Sequence, residues 1–414
     1  MRGVRNRSDI SDKRTKKYGP SQLTQSRKGA WTCILRLLAL LAITTTPAIA
    51  RSTIQFAGFA YGGSFQDIPG TYPYTFAINT KNNQGVSVLD QALDQRLDGV
   101  HFDGFRLNDT SLARIHSNHP IALAFVLTRE NVSTEHIDSA YKVVVILSAE
   151  ALFFNEKTKE VTADYPIGFQ YVDVFPKMPT QSALRKLVQA LYVGHMRTNI
   201  MREFVKRLHN VRLRSYYGNT IRVTAVHISP LARMVIPTAQ KAHVGALKSF
   251  IADQFSADLS VRNQVPVLPY MAGEAIGNVI ALRFANGETF NLVLPKPDYD
   301  VVLTLAGFKK IPYQRGSWGT SWLYGAFVHI AVFEPLSGHK YMDSMVKQAA
   351  IKIIPVSQTN VSSWPAFEET LSNLLDQVSL AIARPTHHWA RAHMGRGRDY
   401  RQLVAVKKVV HLCQ

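Results

Sequence analysis

What most constrains this chain is that it runs through one order of elements twice. In the first pass an apolar run at residues 54–61 precedes a loop rich in glycine and aromatics at 62–74. A helical pattern over 86–97 follows, with Val88, Leu89, Ala92, Leu93 and Leu97 on one face. Strands are expected at 105–107, 121–127, 141–154 and 161–174, the last two joined by a turn at 155–159, and then a helix at 181–193. The second pass offers a strand at 221–228 and a helix at 244–259 whose Leu247, Phe250, Ile251, Phe255 and Leu259 recur every three or four residues. Strands at 265–269, 278–284, 290–294, 301–306 and 322–334, a turn at 335–340, a strand at 341–356 and a helix at 364–382 complete it. The spacing between corresponding elements drifts upward because the second pass has longer segments near 295–298 and 312–320.

Alternation along 167–174 and 350–356 says that these strands each bury one face, which the flanking helices would cover. The expected fold is therefore α+β: two similar modules, 51–200 and 201–383, each a mainly antiparallel sheet with helices over one face. Two unrelated α+β domains are the alternative. A chain of 414 residues with 46% hydrophobic content is long enough for two cores. Its two cysteines, Cys33 and Cys413, sit at opposite ends, and removal of a leader would leave Cys413 alone. Each module must then stand on apolar packing without an internal disulfide.

A leader is indicated by order as much as by composition. Arg27 and Lys28 precede an apolar run of roughly ten residues at 33–43, and Ala48 and Ala50 supply a small-x-small cleavage site before Arg51. The run is too short to cross a bilayer as a helix, which takes roughly twenty residues. Cys33 opens the run and does not follow the cleavage point, so a soluble mature protein, periplasmic or secreted, is expected over a lipoprotein. An uncleaved anchor is the alternative. Residues 1–28 are long for a positive flank and read as polar and structureless.

The net charge of +19 suggests a polyanion ligand until it is located. Ten Lys/Arg against two acids lie in the first fifty residues, and seven against Asp399 lie in 384–414. The body between them is close to balanced, so no nucleic acid is expected as its partner. The 384–414 segment, with Pro385, Gly395 and Gly397, reads as a basic flexible tail carrying Trp389 and Tyr400.

In the second pass, the run Ile221-Arg-Val-Thr-Ala-Val-His-Ile-Ser-Pro230, the helix at 246–259 and Pro266-Val-Leu-Pro-Tyr270 form a strand, helix, strand order. This order resembles the amino-terminal module of the TolB family and that of the curli secretion lipoprotein family. The chain lacks the curli family's lipid-anchor cysteine and any propeller repeat of the TolB kind. The resemblance implies a periplasmic assembly or accessory role.

Residues of catalytic type do not gather into a motif. There is no phosphate loop and no nucleophile elbow. Tyr61-Gly-Gly-Ser-Phe65 reads as a tight turn, and His116 with His119 as loop residues. His387, His388, His393 and His411 belong to the tail. The pairs His101 with Asp103 and Asp298 with Asp300 flank turns, where aspartate bonds to backbone. No catalytic residue, metal site or cofactor is assigned. Contact residues are expected in two aromatic loops, Phe65, Tyr72 and Tyr74 in one and Trp318 and Trp322 in the other. They point to a non-enzymatic scaffold with an envelope protein as partner and no transmembrane span; an envelope hydrolase with a dispersed active site is the alternative.

Overall fold

The strand β1 (Thr53–Gly62) is buried on both faces from Ile54 to Tyr61, which places it in the interior of a sheet. The computed structural model describes residues 52–63, 67–108, 121–137, 139–194, 196–213, 218–241, 244–271, 279–358, 361–394 and 399–414. The leader with its cleavage site, Phe65, His116, His119 and Gly395 lie outside these residues. Arg51–Gln414 is one compact unit.

After β1 come two short helices, α1 (Ile68–Thr71) and α2 (Pro73–Ile78), and then α3 (Val88–Leu97). The hydroxyl of Ser87 accepts from the Leu89 and Asp90 amides and so fixes where α3 begins. A short strand β2 (Arg106–Asn108) precedes the long meander of β3 (Ile121–Ile137), β4 (Ala140–Asn155) and β5 (Val161–Phe175). Two helices close this half: α4 (Gln181–Val193), capped by Thr180, and α5 (Ile200–Leu208), capped by Asn199. The second helix was not foreseen in the sequence. Leu89, Leu93 and Leu97 of α3, Leu184, Val188 and Tyr192 of α4 and Phe204 of α5 pack on one face of the sheet, against Phe125, Val145, Phe153 and Tyr165. Each such side chain contributes about 1.5–3 kcal/mol by leaving water.

The second half runs β6 (Ile221–Ile228), α6 (Pro230–Val235), α7 (Thr238–Lys241) and α8 (Val244–Asn263), then β7 (Val279–Phe284) and β8 (Thr289–Val293). It continues through β9 (Tyr299–Gly316), β10 (Gly319–Phe333), β11 (Lys340–Pro355) and α9 (Trp364–Ala383). Its sheet has the order β11-β10-β9-β6, and the first sheet contains β5-β4-β3-β1. In both, the opening strand lies parallel to the first strand of the meander, β1 to β3 and β6 to β9.

Three irregularities fall in corresponding places, while a fourth, between Ser321 and Trp322, belongs to the second sheet alone. The opening strands slip between Phe56 and Gly58 and between Val223 and Ala225. The meanders slip between Leu127 and Arg129 on β3 and beside Leu305 and Gly307 on β9. They slip again at Phe153/Phe154 on β4 and Val332/Phe333 on β10. The closing turns match as well: the Lys159 amide donates to the Asn155 carbonyl at 2.9 Å, and that of Gly338 to Glu334 at 2.8 Å. Lys159 and Gly338 both take positive φ, 57° and 69°, a conformation that costs lysine more than glycine.

Three expectations change. The strands β7 and β8 do not join the second sheet: β7 pairs antiparallel with β1 through Ala60↔Phe284, and an isolated bridge Glu160↔Val293 brings β8 round to β5. The first sheet rolls up around Ala60, Ala124, Leu152, Leu282 and Leu292. The first sheet is thus covered on both faces, because α8 rests against β5 and places Phe250 beside Arg129, 4.6 Å from guanidinium carbon to ring centroid.

Second, 384–414 is not a flexible tail. It forms α10 (His387–His393) and α11 (Asp399–Leu412), and Leu403, Val406, Val409, Val410 and Cys413 are buried in the core of the second sheet. Third, the segment near 312–320 is not loop, because β9 and β10 run almost to a common tip, joined by Ser317 and Trp318.

Candidate functional site

The first aromatic loop is bound into the core. Tyr72 is buried, its ring 5.4 Å from that of Tyr61, and its hydroxyl donates to the Gly62 carbonyl at 2.7 Å. Tyr74 is half-buried and donates through its hydroxyl to Gln181 Oε1 at 3.0 Å. Glu130 on β3 holds the loop: its carboxylate accepts from the amides of Tyr74 and Thr75 at 2.8 and 2.7 Å, and from the Thr75 hydroxyl. Burial raises the Glu130 carboxyl above its ordinary value, and these hydrogen bonds oppose the rise.

The second loop divides. Trp322 is half-buried on the helix-covered face, with Lys310 Nζ 4.4 Å from its ring centroid. Trp318 at the hairpin tip is 45% exposed. Gly316 has no room for a side chain, because the Trp318 indole lies where a Cβ would stand.

Below that tip, β9, β10 and β11 form a three-stranded ribbon whose outer face is apolar. Ile311, Leu323 and Ile351 are cross-strand neighbours, and the next row sets Ser321 beside Ile353. Ile351 and Ile353 are 52% and 61% exposed. The alternation at 350–356 leaves Ile351 and Ile353 toward solvent, while Lys352 on the other face points toward α9 and binds Glu369 at 2.6 Å. Both faces of this strand are apolar, so period alone cannot choose between them.

In the row below, Lys309, Gly325 and Ala349 are neighbours, and below that Gly307, Phe327 and Lys347. The ring of Phe327 folds over Gly325, and a depression of about 400 Å³ opens between Ile311, Leu323, Phe327 and Lys347. Helix α10 edges it, with His393 Nδ1 3.0 Å from the Lys347 carbonyl. Further along the same face His329 Nε2 meets Asp343 at 3.0 Å.

A second feature lies inside the molecule, where α8 meets the first sheet. Loss of water raises the carboxyls there. Glu150 of β4 is pushed up to about 8, helped by the charge of Asp253, and Asp253 of α8 to about 7, with Arg129 opposing. Asp164 of β5 is raised well above its ordinary value by burial and then by Glu150, with Arg207 opposing. Arg207 stacks over Tyr165 and bonds to the Ser260 hydroxyl. Burial thus favours the neutral form of each of these acids; among the described residues no group of three or more His, Cys, Asp or Glu side chains is placed to hold a metal ion. No helix of the described residues is long and apolar enough to cross a membrane.

No family model matches the chain, and no curated protein does. Among solved structures it is similar to a minor lipoprotein from Acinetobacter baumannii at 11% identity and a TM-score of 0.20, over 44% of this chain and 98% of that one. A hypothetical protein from Chlamydia trachomatis gives 12% and 0.23, over 39% and 97%. A DUF330 protein from Xanthomonas campestris gives 11% and 0.18, over 42% and 88%. Similarity at this level assigns no function.

Proposed function

We propose that this chain is an exported, non-enzymatic protein of the bacterial envelope, built by duplication of one α+β module, and that it binds a protein partner through the ribbon of its second sheet. The observation that carries the binding reading is the ribbon's outer face. Ile311, Leu323, Ile351 and Ile353 share it beside exposed Tyr313 and Trp318, an apolar surface with rigid aromatics of the kind that anchors interfaces. Of the aromatic residues chosen from sequence, Trp318 belongs to this surface, whereas Tyr72, Tyr74 and Trp322 serve the fold.

Export rests on the sequence from Arg27 to Ala50 and on the resemblance of element order to the TolB and curli secretion modules. Duplication is supported by three pairs of strand irregularities and one pair of turns in corresponding places, since bulges are specific features and not noise.

The test is a pull-down from envelope extracts with protein recovered from the envelope fraction. The expected outcome is a partner retained by the native protein and lost on Ile351→Asp with Ile353→Asp, at unchanged thermal stability. Each isoleucine that an interface buries contributes about 1.5–3 kcal/mol, so the pair should weaken binding by about a hundredfold or more. Equal retention by the double variant, or recovery of the protein from the cytosol with its leader intact, overturns the proposal.

A further inference from the structure

The two sheets part company in one respect. The face of the first sheet that turns away from α3, α4 and α5 is covered by elements of the second half, α8 among them. The corresponding face of the second sheet is the open ribbon face. Strand pairing sets the correspondence position by position: Arg129 falls with Gly307, Asn131 with Lys309, Ile146 with Gly325 and Gly168 with Lys347.

On the first sheet α8 lies with Phe250 beside Arg129 and Asp253 close enough to that guanidinium to hold its charge. On the second sheet no long helix lies there: the short α6 brings Leu231 to 3.9 Å from where a Gly307 side chain would begin, and α10 borders the depression. The ring of Phe327 lies over Gly325, and the depression beside it offers a place for an apolar side chain, with Lys309 and Lys347 exposed at its rim. Neither lysine makes an ion pair among the described residues.

We propose that the open face of the second sheet receives an amphipathic α-helix from a different protein, with an apolar side chain seated in the depression between Ile311, Leu323 and Phe327 and carboxylates on its flanks against Lys309 and Lys347. This names the partner class for the site proposed above and rests on that reading. Charge decides the flanks, because two unpaired lysines favour acidic neighbours and oppose basic ones. Neither α3 nor α8, among the described residues, supplies the helix. In a second copy the helix standing in the place of α8 is α3, which turns Gln91 and Gln95 outward where apolar knobs are needed. Helix α8 is occupied on two sides, with Leu247, Ile251 and Phe255 in the second sheet's core and Phe250 against the first. An amphipathic helix laid into an apolar groove is a recurrent mode of recognition.

The experiment places photoreactive benzoylphenylalanine at Ala349 or at Trp318 of the full chain, in cells that make the protein, and maps the cross-linked segment by mass spectrometry. The expected result at 349 is one segment of another protein, with apolar residues at helical spacing and Asp or Glu beside them. Lys309→Glu with Lys347→Glu should cut its capture by about tenfold, and Lys substitutions at the partner's acidic positions should restore it. Both lysines are exposed, so an unchanged melting temperature is the control for folding. Capture of a second copy, of lipid or of a segment without helical spacing, or silence at 349, overturns the helix. Capture at 318 with silence at 349 leaves the partner-binding reading standing and removes the helix alone, whereas silence at both positions removes both.

Discussion

Glu130 shows how much of a loop one side chain can hold. The segment from Asp67 to Ile78 has only two short helices, and α2 carries no side-chain cap from its own flank. The carboxylate of Glu130 supplies what is missing, accepting from the first free amides of α2 as an N-cap would. Hydrogen bonds to a charged acceptor contribute about 1.5–3 kcal/mol each. Glu130→Ala should therefore lower unfolding free energy in urea by about 3 kcal/mol, and Glu130→Gln by less, since the amide oxygen still accepts. An unchanged urea midpoint in the alanine variant would contradict the assignment. None of this was legible in the sequence, where Tyr72 and Tyr74 looked like contact residues because they sit among glycines and prolines. Their burial depends on a carboxylate some fifty-five residues away, and no local pattern announces it.

Elements were read more reliably than their partners. The helices α3, α4, α8 and α9 and the long hairpins were visible in their apolar periods, and so was the α+β class. The pairing of β7 and β8 was not, because alternation shows that a strand has a buried face and not which sheet receives it. The C-terminal helices were missed for a different reason. Arginine, histidine and glycine around 384–401 drew the reading toward a loose tail, although Leu403, Val406, Val409, Val410 and Cys413 fall at steps of three and four. Basic residues there occupy the solvent side: Arg401, Lys407 and Lys408 are exposed while those five are buried. Leu403→Ala should cost about 2–5 kcal/mol of stability by the cavity it leaves, measured by chemical denaturation, whereas in a flexible tail it would cost nothing.

At the scale of the whole molecule the buried acids set a direction for stability against pH. Glu150, Asp164, Asp253, Asp258 and Asp90 all have carboxyls raised by burial, Glu150 to about 8 and Asp253, Asp258 and Asp90 to about 7. In the unfolded chain such groups lose their protons near pH 4. Between roughly pH 4 and 8 the folded state therefore binds more protons than the unfolded one, and stability falls as pH rises through that window. The melting temperature should drop from pH 5 to pH 8, and Glu150→Gln should flatten the drop; a melting temperature that rises over this range would refute the reading.

The bridge between Glu160 and Val293 and the pairing of β7 with β1 carry a further consequence, for the order in which the chain can mature. A polypeptide that has emerged only as far as Leu213 lacks Leu282, Phe284 and Leu292, and its alanine-lined concave side stays wet. The amino-terminal half must then wait in an unfinished state until residues near 293 arrive, and long-range closure of this sort is slow. During that interval its uncompleted margin is open to chaperones and to misassociation, so an exported chain is exposed in this way until its second half has followed the first across the membrane.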